Sequence, residues 1–133
     1  MGKRSTSRKL AMKTLYQASV SGDIEIVVDR FLRGSEYLLE TKNWAIELAQ
    51  KTWSKKAELN EIIKRYAIGW DIDRINPIDK SILQLAFYEI KYTETPPQVI
   101  INEALEISKK YSTEDSPKFI NGILGNYINK EKS

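Results

Sequence analysis

Five cations and one tyrosine near the N-terminus are of the residue types that bind single-stranded nucleic acid. Residues 1–22 contain five lysines and arginines and no acid. Lysine and arginine bind phosphates, and an aromatic ring that stacks on an unpaired base contributes about 1–3 kcal/mol per base. A basic terminus is also typical of a solvated tail, so both interpretations stay open. The candidate nucleic-acid contacts are Lys3, Arg4, Arg8, Lys9, Lys13 and Tyr16.

Lys118 and Phe119 form a second candidate contact, at the predicted start of the last helix. Free backbone N–H groups at a helix N-terminus favour phosphate, and Lys118 adds a positive charge. Phe119 fits a stacking surface and the hydrophobic core equally well. The pattern therefore predicts a contact here and leaves the exposure of Phe119 open.

Glu89 is an acidic residue that the helical period places among apolar positions, between Ile78, Ile82 and Leu85. One interpretation is a catalytic acid with a raised pKa. The other is a buried hub that accepts hydrogen bonds from helix-end amides, tyrosine, tryptophan or an arginine such as Arg74. We favour the hub, because no second carboxylate or base has a spacing that completes an active site.

The composition excludes several kinds of site. The chain has 133 residues, no Cys and no His, so it lacks the ligands of zinc fingers and iron–sulfur clusters, a thiol nucleophile and a histidine base. Asp71, Asp73 and Asp79 lack the glycine and terminal glutamate of a calcium loop and are predicted to cap helices. We therefore expect no metal, no cofactor and no catalytic residue.

Helices must position these side chains. Apolar residues recur at spacings of three and four, which predicts an all-α fold. The first helix is predicted over residues 6–20, with Lys9, Lys13 and Tyr16 opposite its apolar side. That apolar side comprises Leu10, Ala11, Thr14, Leu15 and Ala18. About seven helices are expected, in a compact antiparallel bundle that forms a single domain over residues 1–133.

Three helix starts are marked in the second half of the chain. Asn76 stands before a proline and predicts an N-cap. Thr95 and Gln98 have the spacing of a capping box. Ser116, also followed by proline, marks the start of the last helix.

Gly122 and Gly125 lie inside the apolar pattern of the last helix. A glycine in a helix interior costs about 1 kcal/mol relative to alanine. We expect a neighbouring helix to pack closely against them, with close approach of a ligand backbone as the alternative.

Four segments resemble the NusB transcription antitermination family, in the same order along the chain. Residues 8–17 (RKLAMKTLYQ) are similar to its opening helix and residues 78–90 (IDKSILQLAFYEI) to its fifth helix. Residues 99–104 (VIINEA) and 116–124 (SPKFINGIL) are similar to its C-terminal signature. The resemblance covers essentially the whole chain.

The resemblance implies an all-α protein that is not an enzyme. Members bind the single-stranded boxA element of nascent ribosomal-RNA leader transcripts with NusE, a small-ribosomal-subunit protein, and help RNA polymerase read through terminators. Carried over by position, the RNA-binding residues are Lys3, Arg4, Arg8, Lys9, Lys13, Tyr16, Lys118 and Phe119. The NusE surface would lie around the fifth helix and the following loop, with contributions from Asp79, Tyr88 and Asp115.

Two alternatives stay open. The same fold occurs as an N-terminal domain of RNA cytosine methyltransferases, which need a downstream domain with a nucleophilic cysteine. A helical module that binds only protein would leave the basic helix unused. We expect a cytoplasmic protein, since cysteine is absent and no apolar stretch approaches the length of about 20 residues that spans a membrane.

Overall fold

The computed structural model describes residues 3–132, and within that range every regular element is a helix. The seven α-helices are α1 (Lys3–Ser21), α2 (Ile24–Val27), α3 (Leu39–Ser54), α4 (Lys56–Tyr66), α5 (Pro77–Tyr92), α6 (Pro97–Tyr111) and α7 (Ser116–Lys132). A π-helical segment, Val28–Arg33, continues α2, and a short 3₁₀ turn, Ile72–Arg74, precedes α5. The all-α prediction and the count of about seven helices are confirmed.

Helix α1 lies against α3 and α5. All five residues of its predicted apolar side are buried, and Met12 joins them. The observed helix begins three residues before the predicted start and ends one residue after the predicted end. Burial of this apolar side stabilises the packing of α1 against α3 and α5, because apolar surface is removed from water.

The turn after α1 depends on two residues. Gly22 has φ +83°, a left-handed conformation that favours glycine. Asp23 then caps α2, because its Oδ1 accepts hydrogen bonds from the N–H groups of Glu25 and Ile26 at 3.0 and 3.2 Å.

Helix α5 begins as predicted, whereas α6 does not. Asn76 Oδ1 accepts from the N–H groups of Ile78 and Asp79. At α6 the capping-box prediction is wrong: Pro96 is the N-cap residue and no side chain caps the helix. The Gln98 side chain donates to Asn102 Oδ1 at 3.1 Å, and the Thr95 N–H donates to the Thr93 hydroxyl at 3.3 Å.

The last helix does not use its glycines for packing. An added Cβ at Gly122 or Gly125 would meet no heavy atom within 4 Å, so the predicted close approach of a neighbouring helix is wrong. The core instead runs through the apolar sides of the helices as one cluster that includes Leu10, Phe87 and Leu124. None of the described helices is long and apolar enough to cross a membrane.

Candidate nucleic-acid interface

Arg8 is a buried ion-pair partner, contrary to its predicted contact with RNA. Its Nε and Nη2 donate to the two carboxylate oxygens of Glu89 at 2.7 and 2.9 Å, and its Nη1 lies 3.6 Å from Glu103 Oε1. Arg8 is 6% exposed and Glu89 is 1% exposed. Burial opposes the charge of Arg8, but its pKa is still raised, because Glu89 and then Glu103 attract the guanidinium.

Glu89 is therefore buried as predicted, but the suggestion that Arg74 is its partner is wrong. Arg74 lies on the surface after α4, whereas α1 supplies the arginine. Both oxygens of Glu89 accept from one guanidinium, a bidentate geometry that holds α1 against α5. The prediction that Arg8 contacts RNA is corrected accordingly, since this guanidinium is already hydrogen-bonded inside the protein.

The two cations that precede Arg8 lie on the surface. Lys3 Nζ is 2.6 Å from Glu40 Oε1, and both side chains are mostly solvent-exposed. Hydrogen bonding and the charge of Lys3 lower the pKa of Glu40. The Arg4 guanidinium lies 4.2 Å from the ring centroid of Trp44, within cation–π range.

Lys9 and Lys13 face α6 from the solvent side of α1. Lys9 lines a groove of about 350 Å³ together with Lys110 and Tyr111, and the acids Glu103 and Glu106 also line it. Lys13 Nζ lies 4.5 Å from the Tyr111 ring centroid, and Lys110 Nζ lies 5.6 Å from it. Lys9, Lys13 and Tyr16 are half-buried, so each keeps part of its side chain in solvent. We call Lys9, Lys13, Lys110 and Tyr111 the basic groove.

Phe119 forms an aromatic pair that the sequence did not indicate. Its ring meets Trp70 edge to face, with centroids 5.1 Å apart and planes at 64°. Trp70 is 54% exposed and Phe119 is half-buried. The two rings line a cavity of about 340 Å³, with Lys118 exposed beside them. We call Trp70, Lys118 and Phe119 the aromatic lip.

Trp70 and Tyr111 are functional candidates that the sequence reasoning missed. Trp70 follows Gly69, whose φ of +84° marks a tight turn after α4. A tryptophan in a turn, outside any apolar period, is a signal for an exposed aromatic side chain. Tyr111 is the last residue of α6, and only the tertiary fold places it under Lys13.

The basic groove and the aromatic lip are joined by a short connection. Tyr111 ends α6, Ser116 begins α7, and the four residues between them carry the chain from one patch to the other. Lys9 and Lys13 thus lie in the patch before this connection, and Lys118 and Phe119 lie in the patch after it. Lys3 and Arg4 lie on the same helix but contact α3, through Glu40 and Trp44, whereas Lys9 and Lys13 lie towards α6.

Two of the three predicted partner contacts are buried. Asp79 is 5% exposed, and its carboxylate oxygens accept from the hydroxyls of Ser112 and Ser116 at 2.5 and 2.8 Å. Tyr88 is 8% exposed and stacks on Tyr92. Both carboxylate oxygens of Asp79 are thus already hydrogen-bonded inside the protein, which does not fit a direct partner contact. Tyr88 lines a surface groove beside Trp44 and Tyr92, and its contact with a partner stays a prediction. Asp115 is exposed.

Acidic residues in the described range do not gather into a metal site. No group of three or more metal-ligating side chains occurs between residues 3 and 132. Asp71 caps the 3₁₀ turn instead, because its Oδ1 accepts from the Asp73 N–H at 2.9 Å.

Comparison with known proteins identifies one family for this sequence and fold. The sequence model of the NusB family matches residues 5–129. This chain belongs to the NusB family. It is 35% identical over 132 residues to the transcription antitermination protein NusB of Streptomyces avermitilis, covering 94% of this chain and 90% of that protein.

A second relative and a solved structure support the same family. The transcription antitermination protein NusB of Bacillus cereus is 40% identical over 127 residues, covering 93% of this chain and 95% of that protein. The structure of NusB from T. maritima matches with a TM-score of 0.87 at 32% identity, covering 97% and 95% of the two chains. Since NusB proteins are named for transcription antitermination, the chain is a non-enzymatic transcription antitermination factor.

One further structure shares the fold at lower identity. The antitermination factors NusB and NusE in complex with double-stranded RNA include a chain that matches with a TM-score of 0.78 at 23% identity, covering 98% of each chain.

Proposed function

We propose that this NusB-family protein binds boxA-type single-stranded RNA of ribosomal-RNA leader transcripts together with NusE, as one RNA-binding domain in the cytoplasm. The observation that carries the proposal is the arrangement of the basic groove and the aromatic lip on either side of the 112–115 connection. Cations and exposed aromatic rings on one track are what an unpaired strand needs. A structure of NusB and NusE with double-stranded RNA contains a chain of this fold, which supports NusE and RNA as the kinds of partner. The single-stranded form of the RNA is supported by the exposed rings of this chain.

In this mechanism the two patches have different tasks. Lys9 and Lys13 bind phosphates and set the path of the strand, while Lys3 and Arg4 add positive charge near the start of α1. Phe119 with Trp70 stacks on unpaired bases next to Lys118, and Tyr16 adds a further ring.

Tyr111 keeps Lys13 in place through the cation–π contact. Because the Lys13 ammonium is already held over a ring, less side-chain entropy is lost when a phosphate arrives.

NusE raises RNA affinity through a second surface rather than through chemistry. Simultaneous contact of one RNA with two joined proteins makes the second contact intramolecular, which increases affinity without new residues on this chain. On this chain we assign Asp115 to the NusE surface, because it is exposed in the connection next to the RNA track. As part of the antitermination complex, the pair would act on RNA polymerase.

The test is an RNA titration followed by fluorescence anisotropy, with and without NusE. Lys9→Glu combined with Lys13→Glu should abolish binding, because both cations of the RNA track become anions that repel phosphate. Lys55→Glu with Lys56→Glu is the matched control: both lysines are exposed at the α3–α4 connection and the charge change is the same. Circular dichroism confirms that each variant is folded.

The outcomes separate the proposal from its alternatives. Binding that falls with salt and is lost only in the Lys9, Lys13 variant supports RNA binding by this surface. Binding of NusE with no affinity for RNA at low salt would instead support a module that binds only protein. Equal loss in both charge-reversal variants would show that net charge, and not this surface, attracts the RNA.

A further inference from the structure

Asp79 lies beneath the RNA surface proposed above and is too buried to be a surface contact. It is in the first turn of α5 and is nearly fully buried. Its two carboxylate oxygens accept from two different hydroxyls, Ser112 Oγ to Oδ1 at 2.5 Å and Ser116 Oγ to Oδ2 at 2.8 Å. A buried carboxylate with this geometry replaces its lost hydration by hydrogen bonds from the protein.

The two serines are the residues that bracket the connection between the patches. Ser112 follows the last residue of α6, and Ser116 is the first residue of α7. Their hydroxyl oxygens are 2.9 Å apart. The Thr113 N–H also donates to Ser116 Oγ at 3.2 Å, so the backbone of the connection joins the same cluster. Asp79 thus fixes both ends of the connection to α5.

The aromatic lip depends on the same fixed point. Phe119 is one turn beyond Ser116, and its N–H donates to the Asp115 carbonyl at 3.2 Å. Asp79, Ser116, Phe119 and Trp70 all line one cavity. If the start of α7 moved, the Phe119 ring would leave the Trp70 edge.

The sign of the charge gives a second argument. A carboxylate near a track for a polyanion repels phosphate, so Asp79 opposes RNA binding through its charge alone. Because it is buried and bonded to two hydroxyls, its contribution comes through the geometry of the connection.

We propose that Asp79 is a positioning residue for the RNA surface, holding the α6–α7 connection so that Phe119 and Lys118 face the RNA, and that it touches neither RNA nor NusE. The inference rests on the proposed function, and it deepens that proposal by naming what sets the geometry of the aromatic lip.

The experiment compares two substitutions that each remove one negative charge, in the full-length protein with NusE and boxA RNA. Asp79→Ala should weaken RNA binding about tenfold, the equivalent of about one base stack. Glu114→Ala is the matched control, since Glu114 is an exposed acid in the same connection. It removes equal charge without touching the serines, so RNA binding should stay equal or become tighter.

Two further variants separate positioning from general damage. Ser112→Ala removes one hydrogen bond with no change of charge, and should weaken binding in the same direction even if Asp79→Ala does not fold. In a Phe119→Ala background, Asp79→Ala should have less than about a twofold further effect, because contributions that act through one group are not additive.

Hydrogen exchange of the backbone amides gives a readout that needs no RNA. The amides of Ser116 and Phe119 should exchange about tenfold faster in Asp79→Ala and unchanged in Glu114→Ala, because local opening becomes easier.

The outcomes are distinct. If the unaltered protein binds RNA and Asp79→Ala binds as tightly or more tightly, the positioning role is overturned. Unchanged exchange at Ser116 and Phe119 overturns it as well. If the unaltered protein with NusE does not bind RNA, the proposed function fails, while exchange alone still decides whether Asp79 holds the connection.

Discussion

The inner and the outer side of α1 use the same kind of residue for opposite purposes. Arg8 and Lys9 are neighbours in the sequence and carry the same charge. Arg8 turns inward and donates to both oxygens of Glu89, whereas Lys9 turns outward into the basic groove. The number of cations in a segment therefore overstates the charge available to a ligand.

The two sides also differ in what holds them in place. A buried charge without its partner is strongly destabilising, so each member of the Arg8–Glu89 pair is constrained by the other. Exposed cations are screened by water and salt and cost little to replace. We therefore expect substitutions on the inner side to change folding, and substitutions on the outer side to change RNA binding.

The largest expected effect is on the inner side. Glu89→Ala should lower the free energy of unfolding by about 3–5 kcal/mol, because it leaves the Arg8 guanidinium buried without its main partner. Urea denaturation measures this change. Lys9→Ala serves as the outer-side control and should stay within about 0.5 kcal/mol of the unaltered protein. An unchanged midpoint for Glu89→Ala would show that the pair is not holding α1 against α5.

Replacing both charges sharpens this result. Arg8→Met combined with Glu89→Leu should destabilise less than Glu89→Ala alone, since two apolar side chains of similar size leave no charge unpaired. A double variant that is as unstable as the sum of its single changes would indicate that packing, and not charge pairing, is what the site requires.

The next effect belongs to the aromatic lip. Phe119→Ala and Trp70→Ala should each weaken RNA binding by about 1–3 kcal/mol, because each removes a ring from the stacking surface. Anisotropy titrations at constant salt measure the change. Trp53→Ala, at a half-buried tryptophan near the end of α3, is the control. Equal effects at Trp53 and Trp70 would argue against the lip as a specific stacking site.

A smaller effect is expected in the salt dependence of binding. Replacing Lys9 and Lys13 by alanine should reduce the slope of log affinity against log salt by about 1.4, since each phosphate that a lysine neutralises on a single strand adds about 0.7 to that slope. Titrations at several salt concentrations give the slope. If the slope stays unchanged, neither lysine neutralises a phosphate.

The smallest effect is expected for the exposed pair Lys3–Glu40. Lys3 lowers the pKa of Glu40, so the pair contributes stability above the carboxylate's unfolded pKa, and this stability disappears as pH falls through the lower folded pKa. Lys3→Ala should return the Glu40 pKa towards its ordinary value in an NMR titration, with no measurable change in the thermal midpoint. A lowered midpoint at neutral pH would show that this exposed pair stabilises the fold as a buried pair does.

Sequence patterns predicted several features that depend only on residue spacing within one helix. The apolar side of α1, the Asn76 cap and the burial of Glu89 each follow from spacing along a single helix. All three agree with the structure. The capping box at Thr95 failed because two consecutive prolines shifted the helix start to Pro97.

Contacts between distant segments could not be predicted in the same way. The pairing of Arg8 with Glu89 joins residues 81 positions apart, and the edge-to-face contact of Trp70 with Phe119 depends on how α4 and α7 meet. One signal was present, however. Arg8 precedes Ala11, Met12 and Leu15 by three, four and seven residues, which places it in line with the buried side of α1.

The most direct test of the central claim uses the three tryptophans as internal probes. In an NMR titration with boxA RNA and NusE, the indole N–H resonance of Trp70 should shift strongly, while that of Trp53 should not. Trp44, which lies under Arg4, should shift less than Trp70. A shift confined to Trp53, or an unmoved Trp70 resonance while RNA binds, would contradict an RNA surface that runs from the basic groove to the aromatic lip.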